Sequence, residues 1–386
     1  MLASFLRRRR RRARRAAIQN KGSLYLAECC EPRLLLAAIG SDQTITASIT
    51  AVGQVDSYTF SASAGQSIFA AVAETVAGSP LSVSIELRAP NNALVTSGSS
   101  ATGTAILAQS NLVTQSGTYT INIRGLNNTL GSYALTLALP GVAPEPGTDA
   151  GPIASAEYHT AAISTADLDV YTIAGTAGGS LLATIGDLDA SGFDPQIHVF
   201  SPSGALLGNS AGPSGTVVLE TALPATGTYY IVASDQLSDE TGNYGITIAT
   251  FGGTQVAGND GGPISSGAYR TGTIDPGDFD VHTISGTAGG SLLAAMGDLD
   301  PANSGFDPQI LVFSPTGASL ANVVSPNGTN TLLQNLATTG TYYVVTLDQF
   351  ADETGAYGLS VATFGGTQVT DADSGAINSG ERKTGT

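Results

Sequence analysis

The chain has 386 residues, enough for two to four ordinary domains, and carries 48 Gly, 17 Pro and no Trp. Glycine at this level disfavours helix interiors and suits turns between strands, which argues against a helix-rich enzyme, and no apolar run approaches the roughly 20 residues of a membrane-crossing helix. The formal net charge of −16 divides unevenly: residues 1–39 hold ten basic residues against Glu28 and Glu31, whereas residues 40–386 keep Arg88, Arg124, Arg270, Arg382 and Lys383 against 29 acids. So acidic a body repels phosphate backbones and anionic membrane surfaces, and nucleic acid is not expected as a partner.

The chain opens with a basic leader, residues 1–39, containing eight arginines between Arg7 and Arg15 and the only two cysteines, Cys29 and Cys30. The arginine block is like the positive region of an export signal, but the apolar stretch Leu34–Ile39 is shorter than the usual 7–15 residues. A basic arm for nucleic acid is the competing reading, and it lacks interleaved aromatic residues for stacking. Cys30-Glu31-Pro32-Arg33-Leu34-Leu35-Leu36-Ala37 resembles the LEPR-XLL motif of exported planctomycete-type proteins, with Cys in place of the first Leu. On Glu31, Pro32, Arg33, Leu34, Leu35 and Leu36, that resemblance implies an extracellular or cell-surface protein.

After the leader the chain repeats itself. Gly175–Ala183 recurs unchanged at Gly286–Ala294, Phe193–Ile197 at Phe306–Ile310, and Phe251–Val256 at Phe364–Val369. A more divergent copy comes first, in which Val55–Phe60 matches Leu168–Ile173 and Ser116–Thr120 matches Thr226–Tyr230. Asp373–Thr386 then repeats Asp260–Thr273, which reads as the start of an incomplete fourth repeat and points to a longer parent or a truncated gene. The predicted units are 40–140, 148–253 and 259–366, with the fourth begun at 372–386, each long enough for its own core and joined by Pro/Gly-rich connectors as beads on a string in a monomeric array.

Within the second unit, short alternating runs separated by turn residues predict strands near 158–164, 170–175, 180–186, 195–201, 204–209, 215–221, 226–234 and 243–250. Eight such strands predict an all-β fold of tandem jelly-roll-like antiparallel sandwiches behind a disordered basic leader. The Gly-Thr-Tyr element at Gly227–Tyr229 and Gly340–Tyr342 is expected to pin a turn through its phenol, as a tyrosine corner does. The units resemble the bacterial pre-peptidase C-terminal (PPC) domain in Asp-Xaa-Tyr-Thr-Phe/Ile, in the Phe200-Ser-Pro-Ser-Gly204 hairpin, and in Thr-Gly-Thr-Tyr-Tyr near the unit's end. The resemblance implies a secreted, non-catalytic sandwich of exoenzymes or surface proteins, related to modules that bind calcium or extracellular polymers such as polysaccharide or matrix protein.

Acidic residues cluster. The second unit has Asp167 and Asp169, then Asp187, Asp189 and Asp194, then Asp235, Asp239 and Glu240. The third has Asp275, Asp278 and Asp280, then Asp298, Asp300 and Asp307, then Asp348, Asp352 and Glu353. These fall after the first, third and seventh strands, and connections after odd-numbered strands emerge at one end of a sandwich. Three acidic loops meeting there predict a Ca²⁺ site, since calcium takes six to eight oxygen ligands and neighbouring carboxylates resist ionising without a cation; a solvated acidic rim is the plainer alternative. The first unit, with Arg124-Gly-Leu-Asn-Asn128 in place of the last cluster, is expected to bind no metal there.

No catalytic constellation emerges. His282 fills the slot of Tyr171 and Tyr58 and reads as a half-buried aromatic substitute; His198 aligns with Glu86 and Leu311, and His159 with Arg270, which predicts strand faces near solvent. Gly208-Asn-Ser-Ala-Gly212 matches a nucleophile elbow but lacks the following helix, and its serine has no counterpart in Ala321–Ser325. Asp373-Ser-Gly375 aligns with connector segments, and Gly175–Ser180 lacks the lysine of a phosphate loop. The sequence therefore predicts a non-enzymatic binding array, with a spacer carrying a downstream catalytic domain as the alternative.

Overall fold

A computed structural model describes residues 36–365 apart from residues 77, 100–105, 111–112, 145–149, 190–191, 221, 237–239, 254–259, 301–304 and 326–327. Glu31–Leu35 of the export-type motif, Asp239 and the partial fourth repeat lie outside the described residues. The fold is all-β, and among the described residues no helix is long and apolar enough to cross a membrane.

The first sandwich contains β1 (Leu36–Ala38), β2 (Gln43–Ile49), β3 (Asp56–Ala62), β4 (Ile68–Glu74), β5 (Val83–Arg88), β6 (Leu94–Ser99), β7 (Ile106–Ser110), β8 (Gly117–Gly125) and β9 (Gly131–Ala138). The second contains β10 (Gly151–Pro152), β11 (Glu157–Ile163), β12 (Asp169–Gly175), β13 (Ser180–Asp187), β14 (Pro195–Phe200), β15 (Leu206–Ala211), β16 (Gly215–Glu220), β17 (Gly227–Asp235) and β18 (Gly242–Phe251). The third repeats the plan in β19 (Gly262–Pro263), β20 (Ala268–Ile274), β21 (Phe279–Gly286), β22 (Ser291–Asp298), β23 (Pro308–Phe313), β24 (Ser319–Val324), β25 (Thr329–Asn335), β26 (Gly340–Asp348) and β27 (Gly355–Phe364).

Each sandwich pairs a five-stranded sheet with a four-stranded one; in the second these run β10-β12-β17-β14-β15 and β11-β18-β13-β16. Setting aside the short β10, the eight long strands fall in the orders 2-7-4-5 and 1-8-3-6, the jelly-roll arrangement. The extra edge strand pairs in parallel, Leu36 opposite Ser57 in the first sandwich and Gly151 opposite Tyr171 in the second. Leu36 thus pairs into the first sheet, and Ile39 is buried in the first core.

Each core lies between its two sheets. In the second, Ile173, Ile185, Ile197, Ile231 and Ile246 alternate with residues facing outward, as a half-buried pleat requires. The predicted tyrosine corners are present: the Tyr229 hydroxyl donates to the Ala225 carbonyl at 2.6 Å, Tyr342 to Thr338 at 2.7 Å and Tyr119 to Gln115 at 2.9 Å. The Phe-Xaa-Pro-Xaa-Gly hairpin ends on Gly204 at φ 79° and Gly317 at φ 83°, each beside a register shift at Phe200 or Phe313, a glycine bulge that the left-handed backbone makes possible.

The sandwiches are not beads on a string. The outer face of the first four-stranded sheet, with Phe69, Ala71, Ala73, Ala134 and Ala138, packs against Leu168, Val170, Phe200, Tyr230 and Val232 of the second sandwich. Likewise Leu182, Ala249 and Phe251 meet Val281, Leu311, Phe313, Tyr343 and Val345 of the third. There Phe251 stacks on Phe313 with ring centroids 3.8 Å apart, and the Tyr343 hydroxyl donates to the Gly253 carbonyl at 3.0 Å. Burial of apolar area on both faces of a sheet, not linker chemistry, sets the array.

The joints also correct the histidines. His198 is 3% exposed, its ring 4.7 Å from that of Phe69, because its strand face is covered by the first sandwich. His282 is fully buried and its Nε2 lies 3.0 Å from the Tyr357 hydroxyl. Burial pushes both imidazoles down to about 4. His159 is partly exposed beside Glu157.

Candidate metal centre

Strand register brings the acidic connections to one end of each sandwich. In the second, Ile163 and Asp187 pair with Gly242 and Tyr244 at the start of β18, while Asp169 and Pro195 pair with Ala233 and Asp235 at the end of β17. The acids nevertheless divide into groups with different tasks.

Asp169 and Asp280 are core residues. The Tyr244 hydroxyl donates to Asp169 Oδ2 at 2.6 Å and lies 2.7 Å from the Tyr171 hydroxyl; Tyr357 donates to Asp280 Oδ2 at 2.8 Å beside His282. The first sandwich repeats the chain with Asp56, Tyr133 and Tyr58. Burial raises Asp280 to about 6 despite the Tyr357 hydrogen bond, and it raises the Tyr244 phenol well above its ordinary value. The sequence points only to the acid and the first aromatic; the recurrence of Tyr133, Tyr244 and Tyr357, each two residues after a glycine, is the signal that marks the second.

Asp167 and Asp278 sit at the joints, each accepting at 3.3 Å from a threonine of the preceding sandwich, Thr44 and Thr247. Burial and neighbouring Asp280 raise Asp278 to about 7. Asp275 adds its charge near Tyr158, whose phenol is raised chiefly by burial.

Asp187 with Asp189, and Asp298 with Asp300, form local turns in which the second residue's N–H donates to the first carboxylate at 3.0 and 2.8 Å. Asn243 donates to Asp189 Oδ2 at 2.8 Å through its side chain.

The remaining group is the densest. Asp348 closes β26 and is fully buried. Its Oδ1 accepts from the Asp307 N–H at 2.9 Å, and its Oδ2 from Phe350 at 3.1 Å and Asp352 at 3.3 Å. Carboxylate oxygens of Asp348, Asp352 and Glu353 lie within 4.8 Å of one another. Asp352 Oδ1 and Glu353 Oε2 are buried with no hydrogen-bond partner. Burial first, and then the Asp348 and Asp352 charges, raise Glu353 to about 8; Asp352 and Asp307 are raised by burial and then by Asp348. Three carboxylates held together with two oxygens unsatisfied suit a hard cation that takes only oxygen. In the second sandwich Asp235 accepts from Asp194 at 3.1 Å and Glu240 at 3.5 Å, the same knot in outline.

The first sandwich ties the knot without charge. Gly125 stands where Asp235 and Asp348 stand, and the Ser82 N–H, equivalent to those of Asp194 and Asp307, is accepted by the Thr129 hydroxyl at 2.9 Å. Thr129 closes the short 3-10 turn Leu126–Asn128 by donating to the Leu126 carbonyl at 2.7 Å. Its carbonyl oxygen lies so near Gly125 that a Cβ there would overlap it.

No known protein family matches the sequence, and no curated protein is significantly similar to it. Among solved structures the chain is similar to the pre-peptidase C-terminal domain of a collagenase from Bacillus anthracis, at 21% identity, over 28% of this chain and 98% of that one, with TM-score 0.24. It is also similar to PliG, a periplasmic inhibitor of g-type lysozyme from Aeromonas hydrophila, at 16% identity, 27% and 95% coverage and TM-score 0.22. A third likeness is to a triple jelly-roll protein of an archaeal virus, at 11% identity, 84% and 90% coverage and TM-score 0.23. The class, a tandem jelly-roll array with an acidic end on its second and third sandwiches, rests on strand order and side-chain geometry.

Proposed function

We propose that the chain is a non-catalytic, exported repeat protein of PPC-like sandwiches that binds Ca²⁺ at its acidic ends and extracellular polymer, polysaccharide or matrix protein, along its length. The observation that carries the calcium reading is the Asp348–Asp352–Glu353 cluster, with its two buried, unpartnered oxygens. Asp307 stands beside it to add a further carboxylate. The neutral Thr129 in the first sandwich supports the same reading, since the loop can be closed without acids where no cation is held.

Polymer contact is supported by a cleft repeated at the opposite end of the sandwiches. In the second it measures about 600 Å³ and is lined by Ser155, Thr176, Thr226, Thr228 and Thr250 together with the apolar Ile153, Ala154, Ile173 and Ala174; in the third, about 370 Å³ with Ser265, Ser266, Thr283, Ser285, Thr341 and Thr363. Hydroxyl-rich grooves repeated along one chain suit weak, multivalent contact with a repeating polymer, which gains avidity through effective concentration. Export rests on the motif at Glu31–Leu36. Among the described residues the buried histidines serve a joint and a core, and no serine or cysteine is paired with either as a nucleophile. The packed joints also favour the spacer reading, since they hold successive sandwiches in fixed contact.

The test is calorimetric titration of the full chain with CaCl₂, with thermal melting in calcium and in chelator. Saturation at about 100 times Kd would add about 2.7 kcal/mol to a folded state that alone binds the ion. Asp352→Asn with Glu353→Gln removes the third sandwich's share. Identical melting in calcium and chelator defeats the calcium reading. Retention by immobilised polysaccharide or matrix protein supports the binder; no retention favours the spacer.

A further inference from the structure

Among the described residues, nothing covers, on the third sandwich, the face that closes each joint. Twice in this chain the outer face of a four-stranded sheet is covered by the five-stranded sheet of the next sandwich. In the second sandwich that face is made by Tyr158, Leu182, Gly186, Gly245, Ala249 and Phe251. The register places Tyr269, Leu293, Gly297, Gly358, Ala362 and Phe364 at the same positions in the third. All six pairs are identical, while Thr184, Val217 and Thr247 of the same face are replaced by the small or polar Ala295, Thr331 and Ser360. Phe251 is 0% exposed, whereas Phe364 is 49% exposed, with Tyr269 at 60% and Leu333 on neighbouring β25 at 67%. Large apolar side chains concentrated on one pleated face are unusual for a free surface and mark a contact.

We propose that this face is a docking surface for a further sandwich of the same repeat, received through its five-stranded sheet as the second and third are received. The third sandwich itself supplies the pattern of the partner face: Val281, Leu311, Phe313, Tyr343, Val345 and Leu347, with Phe313 stacking on the phenylalanine of the receiving sheet. The close fit is reproducible too, because Gly277 of the incoming turn rests on Gly245, whose equivalent is Gly358. Residues 373–386 repeat the segment that opens the third sandwich, so such a unit is encoded in kind next to the face. A second copy of this chain does not fit. Its first sandwich carries Glu86, Arg88, Asn122 and Arg124 at the matching outer positions, and Leu293, Leu333 and Phe364 would strip water from the Glu86 ion pairs with Arg88 and Arg124 and offer those charges only apolar partners.

The chain has no tryptophan, so Phe364→Trp places a single reporter on the face. The full chain carrying it is compared with the same chain extended after Thr386 by a copy of residues 274–366, which continues the repeat in register. Docking shifts the emission to the blue and lowers quenching by acrylamide, and Leu311→Glu made in the appended copy reverses both. Circular dichroism and protease resistance report whether the appended copy folds, and a copy of residues 163–253 serves as a second extension. A folded extension of either kind without the shift overturns the proposal. So does a reporter already buried in the unextended chain, whether concentration-dependent, which means two copies pair through this face, or relieved by deleting residues 367–386, which means the chain's own end covers it.

Discussion

The first and third sandwiches share a strand order, a tyrosine corner and a buried Asp–Tyr contact, yet differ wherever a sandwich meets something other than its own core. On the outer face of the five-stranded sheet, Glu86 binds Arg88 at 2.8 Å and also pairs with Arg124, while the same slot in the third holds Leu311, buried against the second sandwich. At the loop after the seventh long strand, Thr129 closes the turn in the first and Asp348 closes it in the third. The comparison teaches that the jelly roll is indifferent to these positions. They answer to the neighbour, another sheet in one case and a cation in the other.

The sharpest way to break the comparison is to exchange the slot residues. Leu311→Glu puts a carboxylate at the joint with no arginine opposite it and is expected to cost about 3–5 kcal/mol, the range for an uncompensated buried charge. The reverse, Glu86→Leu, removes partly exposed ion pairs and is expected to cost at most about 1 kcal/mol. Urea denaturation of both variants checks this. Equal losses would show that the outer faces of the first and third sandwiches are not different environments.

His198 occupies the same slot in the second sandwich and sharpens the comparison through pH. The folded state keeps the imidazole neutral down to about 4, whereas the unfolded chain takes up a proton near 6.5. Its contribution is complete above pH 6.5 and is lost as pH falls toward 4, by up to about 3 kcal/mol for the full shift. His282 slopes the same way, and the raised carboxylates slope oppositely, so the readout is the difference between the parent and His198→Leu. That difference is expected to grow in favour of the variant between pH 6.5 and 4. A constant difference would mean that His198 is solvated and the first joint open.

Much of this architecture is legible in the sequence because core residues alternate. Ile197 and Val199, and Tyr244, Ile246 and Ile248, each mark the core face of a strand that the structure contains, whereas Tyr230 and Val232 mark the opposite face of β17, the one that meets the first sandwich. The joints were not legible for the converse reason. Ile68–Glu74 is buried at every position, and a run covered on both faces has no period to read. Placing Glu86, His198 and Leu311 in one slot was correct, but a slot that accepts all three signals a changing neighbour, not exposure to water. The acidic end was legible as a set of converging connections. Its division was not, because whether a carboxylate serves a tyrosine, a threonine across a joint, or other carboxylates depends on contacts as distant in sequence as Asp280 and Tyr357.

The subtlest difference between the first and third sandwiches is electrostatic, and it concerns Glu353. In chelator, the folded third sandwich holds a proton on this carboxyl to about pH 8, because burial and the Asp348 and Asp352 charges oppose its ionisation, while the unfolded chain releases it near 4.5. The folded state therefore binds the extra proton, and this contribution to stability is complete below pH 4.5 and is lost as pH rises through about 8. Side-chain solvation limits its size. Glu353→Gln is expected to reduce the slope of the chelator-state melting temperature across that window, leaving the slopes from the other raised carboxylates and the opposing slopes of His198 and His282. Saturating calcium should reduce it in the parent as well, by supplying the positive charge that the proton otherwise brings. The first sandwich, with Thr129 in place of Asp348, offers no such group, so Thr129→Ser should leave both the slope and the calcium response unaltered. A slope surviving Glu353→Gln in full would show that the three carboxylates are separately solvated, and that the acidic end of the third sandwich is no more a cation site than the neutral turn of the first.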